Sequence, residues 1–189
     1  MLRKIRMRFF ALAAAAIVVC LLTQPSLAYY TILGTATNVV TSGNIRLVIH
    51  ETTDQGTPFP EEGVYVIPGD VVSKVVKIEN DCNHPFYLRV KAVYGIDSED
   101  LPFEDCLKLN INTEHWTLHE DGWYYFNGIV QPHEYTPWFF SQVEIVGAAV
   151  DNSYIGKSLY VTVKAQAVQA ENNPIENDDP STAQGWPAE

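Results

Sequence analysis

Five histidines, a cysteine pair and many carboxylates are the residues here that could do chemistry. The histidines are His50, His84, His115, His119 and His133. A zinc-peptidase helix needs two histidines four residues apart, with a glutamate beside the first. His133-Glu134 opens that pattern, but Tyr135-Thr136-Pro137 follows and no second histidine arrives. His115 and His119 have the spacing, but Trp116-Thr117-Leu118 lies between them and runs into a hairpin signal. Along a strand, residues four apart are separated by about 13 Å, too far for one zinc ion to bridge. Glu120 and Asp121 could join a loop site, but the ligand spacing for a metal is missing. Glu99, Asp100, Glu104, Asp105, Glu120 and Asp121 supply the residue type used in glycoside hydrolysis. Asp97, Glu99, Asp100 and Asp105 supply the type used for calcium, without the EF-hand order and its central glycine. Neighbouring acids are ordinary in an acidic chain and read as a solvated face. There is no GxSxG elbow and no Gly-rich phosphate loop. No catalytic residue, metal or cofactor is assigned, and the chain is expected not to be an enzyme.

Cys82 and Cys106 are the candidate disulfide, closing a loop of 25 residues. Such a bridge would stabilise by about 3.5 kcal/mol in the chain-entropy model; two reduced thiols are the alternative. Aromatic residues crowd the segment from Trp116 to Phe140. Adjacent aromatics on one strand face opposite sides, so some should be exposed. Trp116, Trp123, Tyr125 and Trp138 are therefore candidates for a glycan-binding or protein-binding face. The ordinary alternative shares them between the core and a covering loop.

The elements that must position these residues begin after a leader. Arg3, Lys4, Arg6 and Arg8 precede the apolar run from Phe9 to Leu22. Gln24-Pro25 breaks the run, and Ser26-Leu27-Ala28 places small residues where a signal peptidase reads. The run is short for a membrane span, which needs about 20 apolar residues. Residues 1–28 are expected to be a signal peptide cut between Ala28 and Tyr29, with a retained anchor as the alternative. Cleavage removes Cys20, four basic residues and no acid, which moves the formal net charge from −11 to −15. That charge argues against nucleic acid or an anionic membrane as partner. Membrane contact is expected only before cleavage, and export permits a disulfide.

Beyond the leader the period is two. Ile45, Leu47 and Ile49 alternate with Arg46, Val48 and His50. Phe86, Leu88, Val90, Ala92 and Tyr94 alternate with Tyr87, Arg89, Lys91 and Val93. Leu159, Val161, Val163, Ala165 and Ala167 alternate with Tyr160, Thr162, Lys164, Gln166 and Val168. Each predicts a strand with one buried and one wet face. Segments 71–78, 122–126 and 138–146 are further β-like runs, and Asp121-Gly122 and Asn127-Gly128 suit hairpin turns. Residues 97–109 could hold one short helix. Strands recurring without alternating helices predict an all-β, antiparallel β-sandwich or jelly roll with at most short helices. The domain is placed at 29–170, and 171–189 is expected to be an acidic disordered tail.

The order of segments carries a resemblance. YYTILGTATNVVTSGNIRLVI follows the leader, and IPGDVVSKVVKIENDCNHPFYLRVKAVY comes next. WTLHEDGWYYFNGIVQPHEYTPWFFSQVEI and the closing strand LYVTVKAQAVQAEN complete the series. Together they resemble the TasA/camelysin family of Gram-positive biofilm-matrix and fibre proteins, up to Asn172. Cys82, Cys106 and the Asn83-His84-Pro85 turn depart from the family pattern. The resemblance implies a jelly roll released by a dedicated signal peptidase, SipW, that assembles outside the cell. It also implies fibres in which the freed N-terminal strand completes a neighbour's sheet, and it raises the lesser alternative of a camelysin-like metallopeptidase.

Residues 29–40 are uncharged and strand-like, which suits such a donor. Tyr30, Ile32, Leu33, Val39 and Val40 are its candidate side chains. Head-to-tail addition would propagate a filament, so the expected partners are copies of the chain, other matrix components and, before cleavage, the signal peptidase. The alternatives are that residues 29–40 form an ordinary first strand in their own sheet, or that the chain is a monomeric surface-binding module.

Overall fold

The computed structural model describes residues 30–38 and 45–187. The period-two segments form strands, and the chain is an all-β sandwich. One layer has six strands. It contains β1 (Tyr30–Asn38), β3 (Val64–Val66), β6 (Phe86–Ile96), β8 (Trp116–Leu118), β9 (Tyr124–Phe126) and β11 (Ser158–Gln169). Their order across the sheet is β3-β1-β11-β6-β9-β8.

The opposing layer is built from a pair, β2 (Leu47–Thr52) with β5 (Val75–Asn80), and from three strands ordered β4-β10-β7. These are β4 (Val71–Ser73), β7 (Leu107–Leu109) and β10 (Gln142–Ile145). Lys74 alone separates β4 from β5, and the chain leading into β10 continues the ladder beside β5. The Val76 N–H donates to Phe140 O at 2.9 Å, and the Phe139 N–H donates to Val76 O at 2.8 Å. The two groups therefore act as one layer.

Between the layers the inward residues interdigitate. Phe86, Leu88, Val90, Leu159, Val161 and Val163 face Val76, Ile78, Phe139, Phe140, Val143 and Ile145, all buried. Full burial of each large aliphatic or aromatic side chain is worth roughly 1.5–3 kcal/mol, so this core carries the fold.

One sequence expectation is refined and three are corrected. First, the sheet is mixed: β1 runs parallel to β11, the single parallel pairing among the described strands. Second, residues 97–106 hold bends and turns instead of a helix: the Asp97 carboxylate is drawn to the start of β11, accepting from the Ser158 N–H at 2.7 Å, and the Glu104 carboxylate accepts from the Phe103 N–H at 3.1 Å. Third, the outer faces of β6 and β11 are dry at one end: Tyr87, Arg89, Gln166 and Val168 are buried.

Fourth, the cover over that end is the segment expected to be disordered. Residues 171–187 fold back across the sheet. Asn172, Asn177 and Asp178 take positive φ, which Asn and Asp tolerate best among side-chain-bearing residues. The Asn173 amide closes the segment on itself, donating to Gln184 O at 3.0 Å and accepting from the Gln184 N–H at 2.9 Å. A 3₁₀ turn at Pro180–Thr182 is capped by Asp179. Ala183, Ile175 and Trp186 then pack with Tyr87 and Val168. Composition missed this because the segment's polar groups satisfy one another, and only a few apolar residues need to reach the sheet.

Candidate functional site

The donor-strand candidates sit in a slot between β3 and β11. The parallel register with β11 runs from Thr31 opposite Ser158 to Asn38 opposite Ala165. On the other side Tyr30 faces Val66 and Ile32 faces Val64 in antiparallel register. The segment is thus an interior strand at the chain's N-terminal end, and the single chain takes the ordinary alternative of pairing within its own sheet. Val39, Val40, Ala28 and Tyr29 lie outside the described residues.

Alternation fixes which donor residues enter the core. Tyr30 is 1% exposed and Ile32 0%, while Leu33 is half-buried. The Tyr30 hydroxyl donates to Asp151 O at 3.0 Å. Burial first, and the Asp151 carboxylate second, push the Tyr30 phenol above its ordinary value, so it stays a donor at neutral pH. Asp151 is itself fixed as the cap of the turn Asn152–Tyr154, accepting from the Ser153 N–H at 2.8 Å and its hydroxyl at 2.5 Å. A short capped turn therefore presents the acceptor that anchors the first residue of the strand.

The four candidate binding aromatics divide between two places, and they do not make one exposed face. Trp116 is buried in the main core, donating from Nε1 to Trp138 O at 3.3 Å and meeting Phe126 and Phe139 edge-on or tilted. Trp138 is half-buried beside it. Trp123 and Tyr125 lie on the outer face of the sheet, both 2% exposed: Arg89 lies over both rings, and Trp186 of the C-terminal segment meets Tyr125 edge-on. Asp121-Gly122 makes the predicted hairpin between β8 and β9, with Gly122 at φ 77°.

Arg89 organises that outer cluster. Its guanidinium carbon lies 4.5 Å from the Trp123 ring centroid and 4.9 Å from that of Trp186. Nε and Nη2 donate to Gln166 Oε1 at 2.9 and 2.6 Å, and Nη2 also donates to Pro187 O at 2.8 Å. Nη1 donates to Tyr125 Oη at 3.0 Å and to Asp121 Oδ2 at 3.3 Å. Burial would raise the Asp121 carboxyl, but the Trp123 N–H, the Tyr125 hydroxyl and Arg89 together hold it below its ordinary value. The cage is filled by the chain's own cation, which makes it a clamp for residues 186–187. The sequence carried one signal for it: Trp186 is the single aromatic residue in the acidic tail.

The cysteines do not bridge. Both are free and buried. Cys82 Sγ contacts Asn80 Oδ1 at 2.9 Å in the turn before β6, whereas Cys106 Sγ contacts Pro102 O at 3.4 Å in the loop after it. Cys82 precedes the eleven residues of β6 and Cys106 follows them, and each thiol has its own carbonyl partner in a separate loop. Burial pushes the Cys106 thiol up, and Asp105 and Glu104 add to this against a lowering contact from Tyr154. Buried and raised, it is disfavoured as a thiolate.

A buried ion pair was also invisible in sequence. Lys74, 0% exposed, places Nζ 2.6 Å from Glu51 Oε2 and 4.2 Å from the Phe59 ring centroid. Neither Nζ nor Glu51 Oε1 has a further hydrogen-bond partner among the described residues. Burial lowers the Lys74 pKa against the raising effect of Glu51. Among the described residues no three His, Cys, Asp or Glu side chains converge to hold a metal. No helix there is long and apolar enough to cross a membrane. No family model, curated protein or solved structure matches the chain.

Proposed function

We propose that this chain is a secreted, non-enzymatic structural subunit of an extracellular matrix or surface fibre, joined head to tail by exchange of β1 after leader cleavage. One observation carries the proposal: the first of the described strands lies inside a sheet, between β3 and β11, with ladders on both sides. Withdrawing it would open the edge of β11 and leave β3 without its neighbour, and unpaired edges favour pairing with another chain. A second copy's β1 offers the same main-chain bonds and the same Tyr30 and Ile32 side chains. Cis and trans pairing thus differ in connectivity more than in contacts, which is the condition for strand exchange. The leader residues adjoin this strand directly, so their removal is the natural switch. The resemblance to TasA/camelysin proteins points the same way.

Cross-strand trapping tests the proposal. Thr31 and Tyr65 are registered partners across β1 and β3. Two mature variants, Thr31→Cys and Tyr65→Cys, each carrying Cys82→Ala and Cys106→Ala so that it holds a single thiol, are mixed and oxidised. Trans exchange yields a dimer containing one of each, and filaments by electron microscopy that vanish on deletion of residues 29–40. Only uncross-linked monomer, with no filaments, overturns the proposal.

A further inference from the structure

We infer that Gly63, by lacking a side chain, admits the β1 backbone into its slot, and that the slot accepts an extended, uncharged peptide with Tyr-x-Ile from its second residue. The inference concerns how any β1 seats, whichever chain supplies it, and it rests on the exchange proposal only for a strand arriving in trans. Gly63 immediately precedes β3, next to Val64, whose partner on β1 is Ile32. Its φ is 77°, and a Cβ there would lie 2.2 Å from Ile32 O and 2.9 Å from Ile32 C and Leu33 Cδ2. Two of those three atoms are backbone, so relief would require β1 itself to move. The Gly63 N–H is tied to Pro60 O at 3.0 Å, with Phe59 buried just upstream, so the turn is held in place.

Register is set at Tyr30. Its ring is buried, and its hydroxyl reaches Asp151 O. Sliding β1 by one residue would bring Tyr29 to the Tyr30 position and Thr31 to that of Ile32. Sliding it two residues the other way would bring Ile32 and Gly34 there. Either shift trades a large apolar group for a smaller or polar one, and an odd shift also exchanges the two faces of the strand. A charged side chain at position 30 or 32 would be desolvated without a partner. The slot therefore reads side chains at one end and closeness of backbone at the other.

Gly56 supplies the control. Its φ is 78°, but a Cβ there meets nothing within 4 Å. Gly56→Ala therefore tests turn strain alone, and Gly63→Ala adds the collision with β1. Hydrogen exchange is followed in the full mature chain. Gly63→Ala should speed exchange at residues 31–33 at least tenfold, while Gly56→Ala stays within about twofold of the parent and the β2–β5 amides are unchanged in both. Equal protection of β1 in Gly63→Ala and parent, or equal loss in both variants, overturns the inference. Should Gly63→Ala lower the yield of folded protein, it is placed in a chain tethered by Thr31→Cys with Tyr65→Cys. There the faster exchange should persist at residues 32–33, and unaltered exchange overturns the inference. Filaments are scored separately: a parent that never assembles defeats the exchange proposal and leaves the exchange-rate comparison intact.

Discussion

The two terminal segments both complete the six-stranded sheet, and they do it by opposite means. β1 enters the plane of the sheet. It is held by two backbone ladders and by two buried side chains, Tyr30 and Ile32. Residues 171–187 lie on the sheet's outer face. They are held by side-chain chemistry centred on Arg89, with Trp186 stacked against it and Pro187 O accepting from it. A segment bound through main chain can be replaced by another extended strand of similar pattern. A segment bound through one guanidinium and its ring partners depends on those residue identities.

Substitutions can sharpen or break that contrast. The largest expected effect is Ile32→Ala, which empties a fully buried site and should cost about 2–5 kcal/mol in urea unfolding. Protection of β1 should fall with it, while protease resistance of residues 171–187 is kept. Equal loss at both termini would show that they unfold as one unit. Arg89→Lys comes next. It keeps the charge but loses the planar fork that serves Gln166, Tyr125, Asp121 and Pro187. A loss of about 1.5–3 kcal/mol is expected, with early proteolysis confined to the C-terminal segment.

Tyr30→Phe keeps the buried ring and removes the hydroxyl bond to Asp151 O. Its expected cost is about 0.5–1.5 kcal/mol, read as a small shift of the urea midpoint with β1 still protected. The smallest effect is one of pH. The Asp121 carboxyl is held below its ordinary value in the folded chain, so its contribution is full above the ordinary carboxylate range. It is lost as pH falls below about 4 and through the folded value. Its side chain is 41% exposed, so solvent screening keeps the contribution small. Release of the C-terminal segment on acidification should be less steep in Asp121→Asn, while β1 responds alike in both proteins. An unchanged acid profile for the segment would remove Asp121 from the clamp.

Alternation alone determined the sandwich. Ile45 to Ile49, Phe86 to Tyr94 and Leu159 to Ala167 each place their apolar set on one face, and a strand's side-chain period leaves no other arrangement that buries them. Strand-like composition without charge marked Tyr30 and Ile32 among the candidate donor residues, and the Asp-Gly dipeptide marked the β8–β9 turn. Three things were decided only in three dimensions. One was the neighbour of β1, since a ladder of main-chain bonds says nothing in sequence about its partner. Another was the fate of Arg89 and Gln166: they alternate as wet residues should, yet a distant segment covers them. The last was the placement of Cys82 and Cys106 in separate loops, on either side of β6. Local pattern fixes which face of a strand is apolar, whereas what lies against either face depends on contacts between residues far apart in the chain.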